Sequence, residues 1–266
     1  MRLYPLGCAI DVRTEHRILA ETARQLWPED SALFPTEPLQ FLVRHAPHGG
    51  DSLEFTADAN RFTFRAGPDV GGWFRRDARR GAIFTDPHSA ALLLESVVLT
   101  ALTWTHLLPI HAGCVTKGDR SVLLCGDSHA GKSTLAYTCA RAGWTYVSDN
   151  SLYWERDEDR LVSGSPTIKL RGSSTGTDWR IDPGAEGLLA ARTAKPGPSV
   201  FLARRPGPAV LKQQDQDEAL AYFLSYVTRP DRDIAAQHYR DLLQHGAWRI
   251  EYEHAEEAAR CLEQLL

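Results

Sequence analysis

This sequence has no unbroken hydrophobic run, little net charge and no paired cysteine spacing, and each lack removes a class of protein. Its most apolar stretch, residues 90–108, is interrupted by Glu95, Ser96, Thr100, Thr103 and His106, so it reads as a buried helix and not a membrane span. The short apolar segment at residues 3–10 contains Pro5 and Gly7 and runs into Asp11 and Arg13 without a small-residue cleavage pattern, which argues against a secretory leader. Cys8, Cys114, Cys125, Cys139 and Cys261 are odd in number and scattered through apolar runs. They read as small core residues in a reducing compartment, forming neither a disulfide framework nor a zinc site. His45 and His48 share a Pro/Gly-rich loop with no carboxylate or cysteine beside them, too little for a metal centre. A formal charge of −4 over 266 residues gives no reason to expect nucleic acid or an anionic membrane as a partner. Neither an internal repeat nor a low-complexity segment is present. With 43% apolar and 24% charged residues, the expectation is a cytoplasmic globular protein of one or two domains.

What the chain does have is a phosphate-binding loop. Gly126, Asp127, Ser128, His129, Ala130, Gly131, Lys132 and Ser133 spell G-x-x-x-x-G-K-S, with Thr134 next. The short apolar run at residues 121–125 reads as a buried strand, and residues 134–142 read as a helix closed by Gly143. Strand, glycine loop and helix are the context the motif requires. Such a loop converges backbone N–H groups on a phosphate, and the helix N-terminus adds its partial positive charge. Lys132 would reach the β- and γ-phosphates of ATP, and the Ser133 hydroxyl would meet the Mg²⁺ that travels with them.

Two flanking segments extend the pattern. A second strand at residues 144–147 delivers Asp149 and Asn150, where a carboxylate can face the phosphates and hold magnesium or accept a proton. Upstream, His111 sits in Ile-His-Ala-Gly at the entry to a hairpin formed by residues 112–115 and 121–124. His-Ala-Gly, hairpin, phosphate loop and then Gly-Trp-x-x-x-Ser-Asp together resemble the HPr kinase/phosphatase family and its smaller relatives, which include kinases of lasso-peptide precursors. The resemblance is concentrated in residues 106–171. It implies a phosphoenolpyruvate-carboxykinase/HPr-kinase-like P-loop nucleotide-binding fold of the α/β class. It also implies transfer of the ATP γ-phosphoryl group to a hydroxyl, serine foremost, of a peptide, a protein or a small metabolite. Relatives carry a Pro-x-x-x-Leu-Lys-like segment where this chain has Lys169 and Arg171, two apart on a short strand. The two cations would cover the transferring phosphoryl group, with edge-strand surface charge as the plain alternative. Relatives also tend to show glycine at the position of His129 and a second carboxylate at that of Asn150.

The remaining chain reads as scaffold. Residues 1–85 look like a β-rich accessory region with one helix at 14–26 and strands at 39–44, 52–55 and 61–65. Residues 71–80 read as a loop in which Arg75, Arg76, Arg79 and Arg80 are solvated, or else meet an acidic acceptor. Asp86 and Pro87 open the apolar helix, expected to lie under the nucleotide-loop sheet and to begin an 86–266 kinase domain. Tyr222, Phe223, Leu224 and Tyr226 read as core aromatics of a helix, and Asp231 as the cap of the next. Asp149 as base, with His111 beside it, completes the reading of an ATP- and Mg²⁺-dependent kinase. An ATP-binding regulator without phosphotransfer is the alternative, and homo-oligomerisation is left open.

Overall fold

The computed structural model describes residues 1–47, 53–171, 178–227 and 232–266. His48, the start of the strand expected at 52–55, the small-residue stretch 172–176 and the Asp231 cap lie outside the described residues. The chain is a mixed α/β protein of two compact units, one of residues 1–107 and one of the described residues from Leu108 onward.

In the first unit, β1 (Arg2–Leu3), β2 (Ile10–Arg13), α1 (Arg17–Leu26), β3 (Leu39–His45), β4 (Glu54–Ala57), β5 (Arg61–Arg65), β6 (Gly71–Arg75), β7 (Arg80–Thr85) and α2 (Ala90–Thr105) follow in order. The strands form one sheet ordered β1-β2-β3-β7-β6-β5-β4, parallel across β2, β3 and β7. Alternation along the strands sends Val12, Phe41, Phe62, Phe74 and Ile83 to a buried face and the intervening polar residues to the other. Residues 71–80, expected as a loop, are instead a β6–β7 hairpin. Gly71 and Gly72 suggested a loop, yet they and Gly81 sit in strands, where neighbouring backbone and side chains leave no room for a Cβ.

Helix α2 packs on this sheet, not under the one that carries the glycine loop as expected. Trp104 meets the Phe62 ring edge-on at 5.2 Å, and a Cβ at Gly72 would come within 2.6 Å of Val97 Cγ2. The two compact units divide at 107/108, whereas the sequence reading began the kinase domain at residue 86. Apolar residues on nearly every side of α2 told of burial and not of the burying partner. Asp86 caps a turn ahead of the helix, accepting from the His88 and Ser89 N–H groups at 2.7 and 3.1 Å, so the regular helix starts at Ala90.

Moving into the second unit, the chain runs through β8 (Leu107–Ile110), β9 (Ala112–Lys117), β10 (Arg120–Cys125), α3 (Lys132–Arg141), β11 (Thr145–Ser148), β12 (Leu152–Glu155), β13 (Arg160–Ser163), β14 (Ile168–Arg171) and β15 (Asp178–Ile181). It continues with β16 (Thr193–Ala194), β17 (Ser199–Arg204), β18 (Val210–Gln213), α4 (Gln216–Ser225), α5 (Arg232–Leu243), β19 (Ala247–Tyr252) and α6 (Ala255–Leu262). The main sheet is ordered β11-β9-β10-β17-β19-β18, beside a four-stranded sheet β16-β13-β12-β8 and the pair β14-β15. Strands β10, β17 and β19 are parallel. Both faces of β10 are buried: Leu123 and Cys125 join the core that holds α4 and α5, and Val122 and Leu124 the core that holds α3 and α6. This accounts for its apolar run. All five cysteines are buried, and none forms a disulfide. No helix among the described residues is long and apolar enough to cross a membrane.

Candidate functional site

Strand β10 ends at Cys125, and the chain loops through residues 126–131 into α3. Gly126, His129 and Gly131 all take positive φ, at 151°, 70° and 99°. A Cβ on Gly126 would stand 2.7 Å from that of Ala130, and one on Gly131 2.8 Å from the Tyr252 hydroxyl. Glycine is therefore required at both ends of the loop. His129 occupies a left-handed conformation at a cost of about 1–2 kcal/mol, which explains why glycine suits that position in similar loops. Asp127, Ser128, His129 and Thr134 are exposed, while Ala130 and Ser133 are partly covered. Leu135 N–H reaches back to Gly131 O at 2.9 Å. The N–H groups of Lys132, Ser133 and Thr134 thus form the open first turn of α3, a cluster of donors at a positive helix end.

Lys132 lies in the loop's centre and is buried, 6% exposed. Its ammonium donates to Gly126 O at 2.6 Å and Asp127 O at 3.1 Å, with His111 Nε2 at 3.1 Å. An ammonium has three donors and no acceptor, so His111 must offer a lone pair at Nε2 and carry its proton on Nδ1. The electrostatics agree. Burial lowers the His111 pKa and the Lys132 charge lowers it further, while burial lowers that of Lys132. A histidine held neutral this way supports the fold fully above its ordinary value near 6.5, and the support is lost as pH falls through the lowered folded value. The parent protein is thus expected to lose melting temperature between pH 7.5 and 5, and His111→Gln, which keeps an acceptor for Lys132, to lose less. Equal pH slopes for the two proteins would contradict the assignment.

Asp149 stands just past β11. A register shift in the β9–β11 pairing between Tyr146 and Ser148 re-aims the end of that strand, a common use of a bulge beside a site. Gly113 allows the close approach, since a Cβ there would lie 3.2 Å from Ser148 O and 3.3 Å from Asp149 O. The Asp149 side chain is buried, 3% exposed. Its Oδ2 accepts the Lys169 N–H at 2.8 Å, and the Tyr146 hydroxyl lies 3.4 Å from Oδ1 and 3.1 Å from Thr167 O. The Asp149 charge raises the Lys132 pKa against the effect of burial, so the two groups feel one another. Asn150 is exposed beside it. Ile168 is buried in the α3/α6 core and Lys169 is exposed, as strand alternation requires. Arg171 ends β14 opposite Asp178, its side chain lying outside the described part of the chain.

Two residues of the site escaped the sequence reading, Tyr222 on α4 and Tyr226 at its C-terminal cap. The Tyr222 hydroxyl accepts from Gly126 N–H at 2.9 Å and lies 2.7 Å from His111 O and 2.9 Å from Gly126 O, which share its one proton. Tyr226, 40% exposed, stacks on the His111 ring at 4.2 Å. The pair at i and i+4 marks one helix face, but only the fold joins it to a loop 96 residues away. Phe223, between them in sequence, is buried core as expected.

No family model matches the chain, and no curated protein matches it. Among solved structures, the Hpr(Ser) kinase/phosphatase from Coxiella burnetii is similar at 15% identity and a TM-score of 0.36, over 59% of this chain and 94% of that one.

Proposed function

We propose that the second unit is an ATP- and Mg²⁺-dependent kinase built on a phosphoenolpyruvate-carboxykinase/HPr-kinase-like P-loop fold. In this reading it transfers the γ-phosphoryl group to a hydroxyl, serine foremost, of a peptide, a protein or a small metabolite. A cytoplasmic setting and a role in peptide natural-product biosynthesis belong to the same proposal. The observation that carries it is the convergence of three things. These are a glycine-gated loop at a helix N-terminus, a buried lysine at its centre, and a buried carboxylate within electrostatic reach of that lysine.

Phosphoryl transfer asks the protein chiefly to position two oxygens in line and to neutralise charge. The first-turn N–H groups of α3 and the Lys132 ammonium would hold the polyphosphate, the lysine exchanging the Gly126 and Asp127 carbonyls for phosphate oxygens. Asp149 would take the acceptor's hydroxyl proton as the new O–P bond forms and the bond to the β–γ bridging oxygen breaks, releasing ADP. His111 would orient Lys132, which it meets at 3.1 Å, and orient or relay beside Asp149, and Lys169, with Arg171, would cover the transferring group. Ser133, Asp149 and Asn150 are oxygen donors suited to a hard cation. Magnesium so held would neutralise charge on the β- and γ-oxygens.

The test is direct. Thermal melting with ATP·Mg²⁺ is expected to raise the midpoint above that with Mg²⁺ alone. Phosphorus NMR with serine-containing peptides is expected to show γ-phosphate converted to phosphoserine and ADP. No ATP-dependent shift would overturn the reading. A shift without acceptor-dependent turnover would instead favour the ATP-binding regulator, to which the lone carboxylate beside Asn150 also lends support.

A further inference from the structure

The outward face of the first unit's sheet carries a pattern that the nucleotide chemistry does not use. Register sets Arg61 directly opposite Arg75, and Arg75 directly opposite Arg80. Three arginines therefore stand in one row across β5, β6 and β7, spanning about 10 Å at the usual strand spacing. Like charges directly opposite one another destabilise a sheet, so the row works against the fold that contains it. Asp77 answers Arg75 at 2.8 Å and Asp58 faces the Arg61 charge from the turn before β5, while among the described residues Arg80 forms no ion pair. The row continues through Gln40 on β3. There it borders a hollow of about 490 Å³ lined in part by Asp11, Arg13, Gln40, Leu42 and Arg80, with Asp11 already paired to Arg2 at 3.0 Å. Leu42 is 37% exposed and puts an apolar contact among the cations. Helix α2 meets the other, aromatic side of the sheet.

We infer that this face docks an acidic segment of a partner polypeptide, its carboxylates paired with the arginine row. Guanidinium groups match carboxylates two bonds at a time, which suits side chains presented from a strand surface at fixed spacing. Single-stranded nucleic acid fits less well. It needs open aromatic faces for stacking, and Trp73, two residues along β6 from Arg75 on the same face, is already covered by Arg61 at 5.4 Å. A polynucleotide would also extend past this patch onto a chain whose net charge is −4. The inference concerns the first unit and holds whether or not the second unit transfers phosphate.

The experiment uses the full-length protein and a fluorescein-labelled dodecapeptide of alternating glutamate and serine, read by anisotropy at 50 and 200 mM salt. The expected result is salt-sensitive binding weakened at least about tenfold in Arg61→Glu/Arg80→Glu, and by a smaller factor in Arg61→Gln/Arg80→Gln. The charge-matched control Arg156→Glu/Arg160→Glu, at the exposed β12–β13 tip, is expected to stay within about twofold of the parent. Melting curves confirm that each variant is folded, and the Gln pair decides if the Glu pair is not. Absence of peptide binding to the parent, or equal weakening in the control pair, would overturn the inference. So would tighter binding of a labelled oligouridylate that the same two substitutions abolish.

Discussion

Asp149→Asn is expected to lower phosphoryl transfer by roughly 10²- to 10⁴-fold, the usual contribution of a positioned base, while ATP continues to bind. The substitution is close to isosteric in a buried pocket. The Asn carbonyl can still accept the Lys169 N–H now held at 2.8 Å, and the amide can face Tyr146, whose hydroxyl can turn wholly to Thr167 O, 3.1 Å away. Folding should therefore survive, and a melting curve checks that it does. Removing a negative charge near the triphosphate cannot weaken Coulomb attraction to it, so the melting shift induced by ATP without magnesium should persist or grow. What disappears is a proton acceptor, because an amide takes no proton at neutral pH. Asn150→Asp is the counterpart, placing a second carboxylate at an exposed position, and should leave transfer intact or raise it. Parental turnover in Asp149→Asn with a confirmed acceptor would move the base role to His111.

Lys132→Ala carries the second large effect, on binding. Each charge-assisted contact to phosphate contributes about 1.5–3 kcal/mol. Losing two weakens ATP by about 3–6 kcal/mol, on the order of 10²- to 10⁴-fold in affinity. The melting shift produced by ATP·Mg²⁺ in the parent should nearly vanish in the variant at the same concentration. The loop itself should persist, because the Tyr222 hydroxyl keeps its bonds to the Gly126 N–H and C=O, both at 2.9 Å. A shift equal to the parent's would show that the nucleotide, if bound, does not sit on this loop.

The strand–loop–helix core was legible because its signals are local. Gly126 and Gly131 sit at positive φ, β10 is an apolar run, and the β9–β10 hairpin is built from contiguous sequence. Segments whose neighbours are distant in sequence were not legible. Residues 71–80 carry glycines that look like turn formers, and only the flanking strands show that those glycines make room for packed neighbours. Helix α2 is apolar nearly all round, so its pattern has no direction and cannot say which sheet it lies on. The same limit hid Tyr222, which touches the loop from 96 residues away. Asp149 was found from the end of a strand, but the bulge and the Gly113 contact that seat it depend on β9 beside it.

Strand β10, which ends at the glycine loop, is the shared wall of two cores, with Leu123 and Cys125 on one side and Val122 and Leu124 on the other. Opening either layer strips apolar cover from the same four side chains, so the two layers cannot come apart one at a time without exposing the wall between them. That makes the strand a point where local fluctuations are suppressed, belonging to the last part of the unit to exchange its amide protons with solvent. The loop therefore hangs from the stiffest part of the unit. A ligand that settles there meets a surface whose shape is set beforehand and spends little of its interaction energy on ordering what holds it.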